Sequence, residues 1–220
     1  MTNNSLIVRN SIFLAMRTIV ISIVGLFSVR ELLVILGVEE YGLFNLVFGV
    51  AALFTFINGA MVSSTQRYLS YYIGKKNNQL FEDVWSSSLF LHLLIAVTVS
   101  IILLSLKDLM LNRILSIDPN YIKSANFVFY FAVISIFISI FQAPFNALIL
   151  AKEKMSFYAG LSLYDAVSKL GIIYCLYFMQ ESLLEKYTVL YVSSSLVVFI
   201  IYVIYCNNRF NNKIQLNILN

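Results

Sequence analysis

Apolar residues run in six long blocks along this chain, with polar positions mostly in the gaps between them. The blocks are Ser11–Leu36, Tyr41–Ser64, Ser86–Leu106, Phe127–Leu150, Phe157–Met179 and Val189–Cys206. A bilayer core about 30 Å thick is crossed by about 20 helical residues, and each block meets or nearly meets that length. None alternates apolar and polar positions as a membrane strand does. The pattern predicts an all-α polytopic membrane protein with six transmembrane helices, forming a single transmembrane domain over residues 1–220.

The gaps carry turn and end signals. Gly37-Val38-Glu39-Glu40 reads as a tight hairpin between the first two spans. The stretch Arg67–Tyr72 continues the second helix outward until Gly74 stops it, and Lys75-Lys76-Asn77-Asn78 makes the turn. Lys107–Ser124 is the longest opposite loop, with a turn at Asp118-Pro119-Asn120. Ala151–Ser156 and Gln180–Tyr187 are short connections, Met1–Asn10 is a polar lead, and Asn207–Asn220 is an Asn-rich tail. Tyr68, Tyr72, Trp85, Tyr158, Tyr187 and Tyr191 stand at span ends, as aromatics of the headgroup belt do.

Composition sharpens this reading. Hydrophobic residues make up 60% of the 220 and charged residues 12%, with a mean hydropathy of +0.84. A soluble domain carries about 25% charge, so a water-soluble core is excluded. The net charge of +4 forms no patch suited to nucleic acid; its placement reports topology. With the amino terminus inside, Arg9, Arg67, Lys75, Lys76, Lys152, Lys154, Arg209 and Lys213 face the cytoplasm, against Lys107, Arg113, Lys123 and Lys186 opposite. Eight against four places both termini in the cytoplasm. The first block is too long for a cleavable signal and is expected to stay as a span. Cys175 and Cys206 have no metal or redox spacing and read as small buried side chains.

An ionisable group inside a span costs a few kcal/mol unless solvated or paired, so each is a site candidate. Arg17 lies roughly 9 Å into the first span, on one helical line with Ser28 and Glu31, while Arg30 points away. Arg17 either snorkels to the headgroups or lines a cavity. Lys169 falls near the midplane, with Asp165 one turn earlier. They form either a self-neutralising pair or a cation projected into a wet cavity. Ser135, Ser139, Gln142 and Asn146 recur at spacings of four, three and four as one polar stripe, interrupted by Pro144, which frees a carbonyl and favours a kink. Small residues line the second span (Gly42, Asn45, Gly49, Ala52, Ala60, Ser63) and the first (Thr18, Ser22, Gly25), a pattern expected for close helix packing. His92, the only histidine, reads as interior polar filler. No nucleophile-and-base set, metal-ligand cluster or phosphate loop is visible, so an enzyme is not expected.

Several strings carry a resemblance. They are Leu36-Gly37-Val38-Glu39-Glu40-Tyr41-Gly42-Leu43-Phe44, Ser64-Thr65-Gln66-Arg67-Tyr68-Leu69-Ser70, Gly74-Lys75-Lys76-Asn77, Ala143-Pro144-Phe145-Asn146-Ala147-Leu148 and Ala151-Lys152-Glu153-Lys154-Met155. Their order and placement at span ends resemble the Wzx-type polysaccharide flippases (O-antigen and capsule transporters) of the multidrug/oligosaccharidyl-lipid/polysaccharide (MOP) exporter superfamily. The resemblance covers about Arg9–Tyr158. It implies a bacterial inner-membrane transporter that moves an undecaprenyl-diphosphate-linked oligosaccharide between leaflets for lipopolysaccharide or capsule synthesis. It also implies a MATE-like lobe of six helices, where the family has two lobes around a cationic cavity. The missing half would come from further chain, if this is a truncated N-terminal lobe, or from a second copy in a homodimer. On this reading Arg17 and Lys169 meet the anionic headgroup, and Ser139, Gln142 and Asn146 bind sugar hydroxyls. Glu31 and Asp165 keep a drug exporter of the same superfamily open, and a scaffold subunit is a further alternative. No cofactor is expected; coupling to a proton or sodium gradient stays open.

Overall fold

A computed structural model describes the backbone of residues 3–210 and the side chains of residues 12–50, 53–54 and 58–210. The distal part of the Asn-rich tail, with Lys213, and the side chains of Arg9 and Ala52 lie outside the described residues. The elements are α1 (Asn3–Gly74), α2 (Asn78–Ser105), a single turn α3 (Lys107–Leu109), a π turn (Met110–Ile114), a 3-10 turn (Pro119–Tyr121), α4 (Ile122–Ala151), α5 (Met155–Leu176) and α6 (Leu183–Phe210). Among the described residues there is no strand. Five helical stretches are long and apolar enough to cross a bilayer: Ile12–Val50, Asn78–Ser105, Pro119–Ala151, Met155–Leu176 and Leu183–Phe210. The protein is a multi-pass, all-helical membrane protein.

The first two expected spans share α1, which is broken at one residue. Gly37 has φ 76° and ψ 171°, a region essentially closed to side chains with a Cβ. The chain reverses there. On the outgoing limb, Arg17 meets Tyr158 at the start of α5 and Glu31 meets Tyr177 just past its end. On the returning limb, Glu39 accepts from Tyr121 before α4, and Asn58 bonds Ser139 midway along it. Leu69 joins the cluster of Phe145 and Leu148 near the end of α4. The hairpin is therefore tighter than expected, with helix resuming at once after Gly37.

The next turn follows the sequence signals. Gly74 ends α1, and Asn77 caps α2 by accepting from the Leu80 amide at 3.1 Å. The long opposite loop does not simply lie in solvent. Leu111 is buried there, with Leu115 and Ile117 packed behind it, and Asp118 caps the 3-10 turn. The polar lead from Asn3 is already helical.

Helix α4 is the central post, packed against α1, α2 and α6, while α5 packs on α1 and α6. Half of α4's residues are buried, including Val128, Phe129, Ala132, Ala143, Ala147 and Leu148, and it runs unbroken through Pro144. Two apolar clusters result. One gathers Leu43, Phe44, Phe129, Ile136 and Tyr187; the other gathers Leu69, Phe81, Trp85, Phe145 and Tyr202. Trp85 and Tyr187, expected in the headgroup belt, are 2% and 4% exposed. Each follows the apolar period of its helix into the bundle. Outward, Ile12, Met16, Ile19, Leu26 and Val34 present an apolar surface. Several helix hydroxyls donate one turn back, as in Ser100 to Ala96 at 2.7 Å and Thr188 to Leu184 at 2.7 Å. That is the local solution when lipid offers no partner.

Candidate functional site

Between the two apolar clusters lies a cavity of about 500 Å³. The whole α4 stripe opens into it: Ser135, Ser139, Gln142 and Asn146 all line the wall. Pro144 has no amide to give the Ile140 carbonyl, and Ile140 lines the same wall. The returning limb of α1 supplies Phe44, Asn45, Phe48, Gly49, Phe54 and Asn58 opposite. Helices α5 and α6 close the side with Asp165, Lys169, Tyr191 and Ser195.

The charged group is held in place. Lys169 Nζ donates to Asp165 Oδ2 at 2.9 Å and sits 4.5 Å from the centroid of the Tyr191 ring. A cation over an aromatic face gains about 0.5–2 kcal/mol, more when desolvated. Beside them Ser168 and Ser194 join α5 to α6 through their hydroxyls, 2.9 Å apart. Asn58 Nδ2 donates to Ser139 Oγ at 2.7 Å and to its carbonyl at 3.2 Å, tying α1 to α4 across the cavity.

Three acceptors at this cavity are left over. Asn58 Oδ1, Asn146 Oδ1 and Asp165 Oδ1 are buried and have no hydrogen-bond partner among the described residues. An unmade buried hydrogen bond costs on the order of 1–3 kcal/mol. The wall thus combines polar side chains with an ammonium already paired to Asp165.

Of the seven residues singled out from the sequence, five meet here: Ser139, Gln142, Asn146, Asp165 and Lys169. Arg17 and Glu31 do not line this cavity. The line they share on α1 faces α5 instead, where the Arg17 guanidinium lies 4.6 Å from the Tyr158 ring and Glu31 accepts from Tyr177 at 2.7 Å. Arg17 Nε is buried there without a partner among the described residues.

The stripe of small residues on the second span also has a different meaning from close packing. A Cβ placed on Gly42 or Gly49 meets nothing within 4 Å. At Asn45 and Gly49 the small face makes room for the cavity. Tyr191, expected at the headgroups, is a wall residue, and Asn58 and Ser195 went unmarked. The α6 spacing of Tyr191 and Ser195, one turn apart, was the available signal. His92 is buried elsewhere, its Nδ1 2.6 Å from the Ser88 carbonyl. Among the described residues no group of His, Cys, Asp and Glu is placed to hold a metal ion.

Two solved structures share this helix arrangement. One is described as the outward-facing conformation of a multidrug resistance MATE family transporter of the MOP superfamily. It matches with a TM-score of 0.80 at 17% identity, over 95% of this chain and 46% of its own. The fold is that of a MATE-type lobe. A second match is described as a MOP superfamily transporter from Pyrococcus furiosus whose reversed pocket polarity suggests a different function. It gives a TM-score of 0.78 at 16% identity, over 94% of this chain and 45% of its own. No protein-family model and no curated protein matches the sequence. The MATE-type lobe seen here spans a little under half the length of either structure.

Proposed function

We propose that this chain is a transporter lobe that carries an anionic, hydroxyl-rich, lipid-linked substrate, in the manner of an undecaprenyl-diphosphate-linked oligosaccharide, across a bacterial inner membrane for surface polysaccharide synthesis. The observation that carries this reading is the cavity itself, a chamber inside an apolar bundle whose wall sets Lys169 and the polar α4 stripe beside Phe44, Phe48 and Phe54. A diphosphate and its sugars cannot enter hydrocarbon, whereas the prenyl tail can stay in it, so the protein must supply wet, cation-bearing walls for the head alone. The polar side chains of Ser139, Gln142 and Asn146 on the wall suit sugar hydroxyls. The strings resembling polysaccharide flippases support the same substrate class, and the MATE-type fold supports a transport role.

A second reading, an exporter of cationic aromatic compounds within the same superfamily, draws on Asp165 beside Phe44, Phe48 and Tyr191. One experiment separates the two. The gene containing this chain is placed in a flippase-null cell, and surface polysaccharide is measured alongside resistance to cationic dyes. The lipid-linked reading expects restored polysaccharide, lost again in Lys169→Glu with the protein still inserted. Dye resistance without polysaccharide would favour the second reading.

A further inference from the structure

A second pocket, of about 320 Å³, lies at the end of the bundle where α1 and α6 finish, α2 begins and α4 hands over to α5. Its walls are Tyr72, Ile73, Phe81 and Phe210, and its charges are Lys76, Lys152 and Glu82. Helix ends of a membrane bundle lie at headgroup depth, and this end carries the larger share of the lysines and arginines that favour the cytoplasmic leaflet.

Lys152 is the key group. Its stem is half-buried and its ammonium lies 4.7 Å from the Phe81 ring and 5.8 Å from that of Phe210. Among the described residues no carboxylate stands within ion-pair distance of it. Burial pushes its pKa below the ordinary lysine value, as expected for a cation that lacks a counter-ion. Lys76, held in a left-handed backbone conformation at φ 53° in the α1–α2 turn, brings a second, exposed cation to the same pocket.

We propose that this pocket binds the phosphodiester headgroup of an anionic membrane lipid, with Lys76 and Lys152 on the phosphate and Glu82 accepting from a headgroup hydroxyl. The apolar walls decide for a lipid over a soluble anion. Ile73, Phe81 and Phe210 give a phosphate in water nothing, but they continue naturally onto a glycerol backbone and acyl chains. Glu82 would repel a bare anion and favours a head that carries hydroxyls next to its phosphate, as phosphatidylglycerol does. Basic pockets between helix ends on the cytoplasmic side are suited to such heads, at about a five-fold gain in affinity for each lysine.

The single tryptophan provides the probe. Trp85 stands one turn beyond Phe81 on α2 and shares its apolar cluster. The protein is reconstituted in phosphatidylcholine vesicles holding rising fractions of phosphatidylglycerol brominated on its acyl chains, and Trp85 fluorescence is followed. Saturable quenching at low mole fraction is expected, roughly thirty-fold weaker in Lys76→Gln/Lys152→Gln and unchanged in Lys154→Gln, whose lysine lies outside the pocket. Quenching no stronger than that by brominated phosphatidylcholine in the unmodified protein would overturn the proposal without any variant. So would an unaltered curve in the double variant, or displacement of the lipid by millimolar inorganic phosphate.

Discussion

Lys169 and Asp165 lie one turn apart on α5 with their charged atoms 2.9 Å from each other, at the wall of the cavity that the α4 stripe lines. Pairing offsets part of the cost of placing each charge within a span, yet Asp165 Oδ1 stays without a partner among the described residues. Replacing Asp165 with Asn removes the counter-charge and leaves Lys169 a neutral acceptor and the Tyr191 ring. Breaking a fully buried pair costs roughly 3–5 kcal/mol. With side chains 22% and 31% exposed, the loss here is expected below that range. Thermal unfolding in detergent should show Asp165→Asn less stable than the parent, with stability regained when Lys169→Gln is added.

Two glycines should answer the same substitution in opposite directions. Gly37→Ala forces a Cβ into a backbone region reserved for glycine and should cost on the order of 1–3 kcal/mol, although the space around it is empty. Gly49→Ala meets nothing within 4 Å and lies in regular helix. It should be neutral or gain up to about 1 kcal/mol from helix propensity. Paired melting curves check both.

A large side chain at Gly49 separates stability from function. Gly49→Phe projects into the cavity, where open space accepts it. The protein should insert and melt normally while surface polysaccharide in the complemented cell falls sharply. Gly25→Phe, on the outer face of the first limb, should leave export intact.

Asn58 offers a subtler test. Its bonds to Ser139 span α1 and α4, and such interhelical bonds in membranes average about 0.6 kcal/mol. A double-mutant cycle of Asn58→Ala and Ser139→Ala should give a coupling of about that size. A value near zero would mean that the two side chains do not meet.

Much of the fold was legible because length and hydropathy alone specify helices in lipid, and turn residues such as Gly74 and Asn77 mark where they stop. The site was partly legible. The α4 stripe and the Asp165–Lys169 pair declare themselves by spacing on a single helix. Arg17 and Glu31 share a face too, but a wheel gives a face without saying which neighbour it meets, and here it meets α5. Tyr191 and Asn58 became wall residues only through the packing of four helices, which no single-helix period contains. The strings that carry the flippase resemblance lie largely on scaffold: Gly37 shapes the reversal, and Pro144, Ala147 and Leu148 are buried in the central post. Such positions speak for the fold more strongly than for the cargo.

The central claim is that a hydrated chamber exists inside the bundle, and cysteine accessibility tests it most directly. In a background of Cys175→Ala and Cys206→Ala, single cysteines replace Ser139, Asn146 and Leu26, and intact membranes are treated with a small charged thiol reagent. Modification of the Ser139→Cys and Asn146→Cys variants, slowed by added lipid-linked glycan, with Leu26→Cys on the exposed apolar surface inert, is the expected result. Cysteines at 139 and 146 as unreactive as the one at 26 would contradict the account.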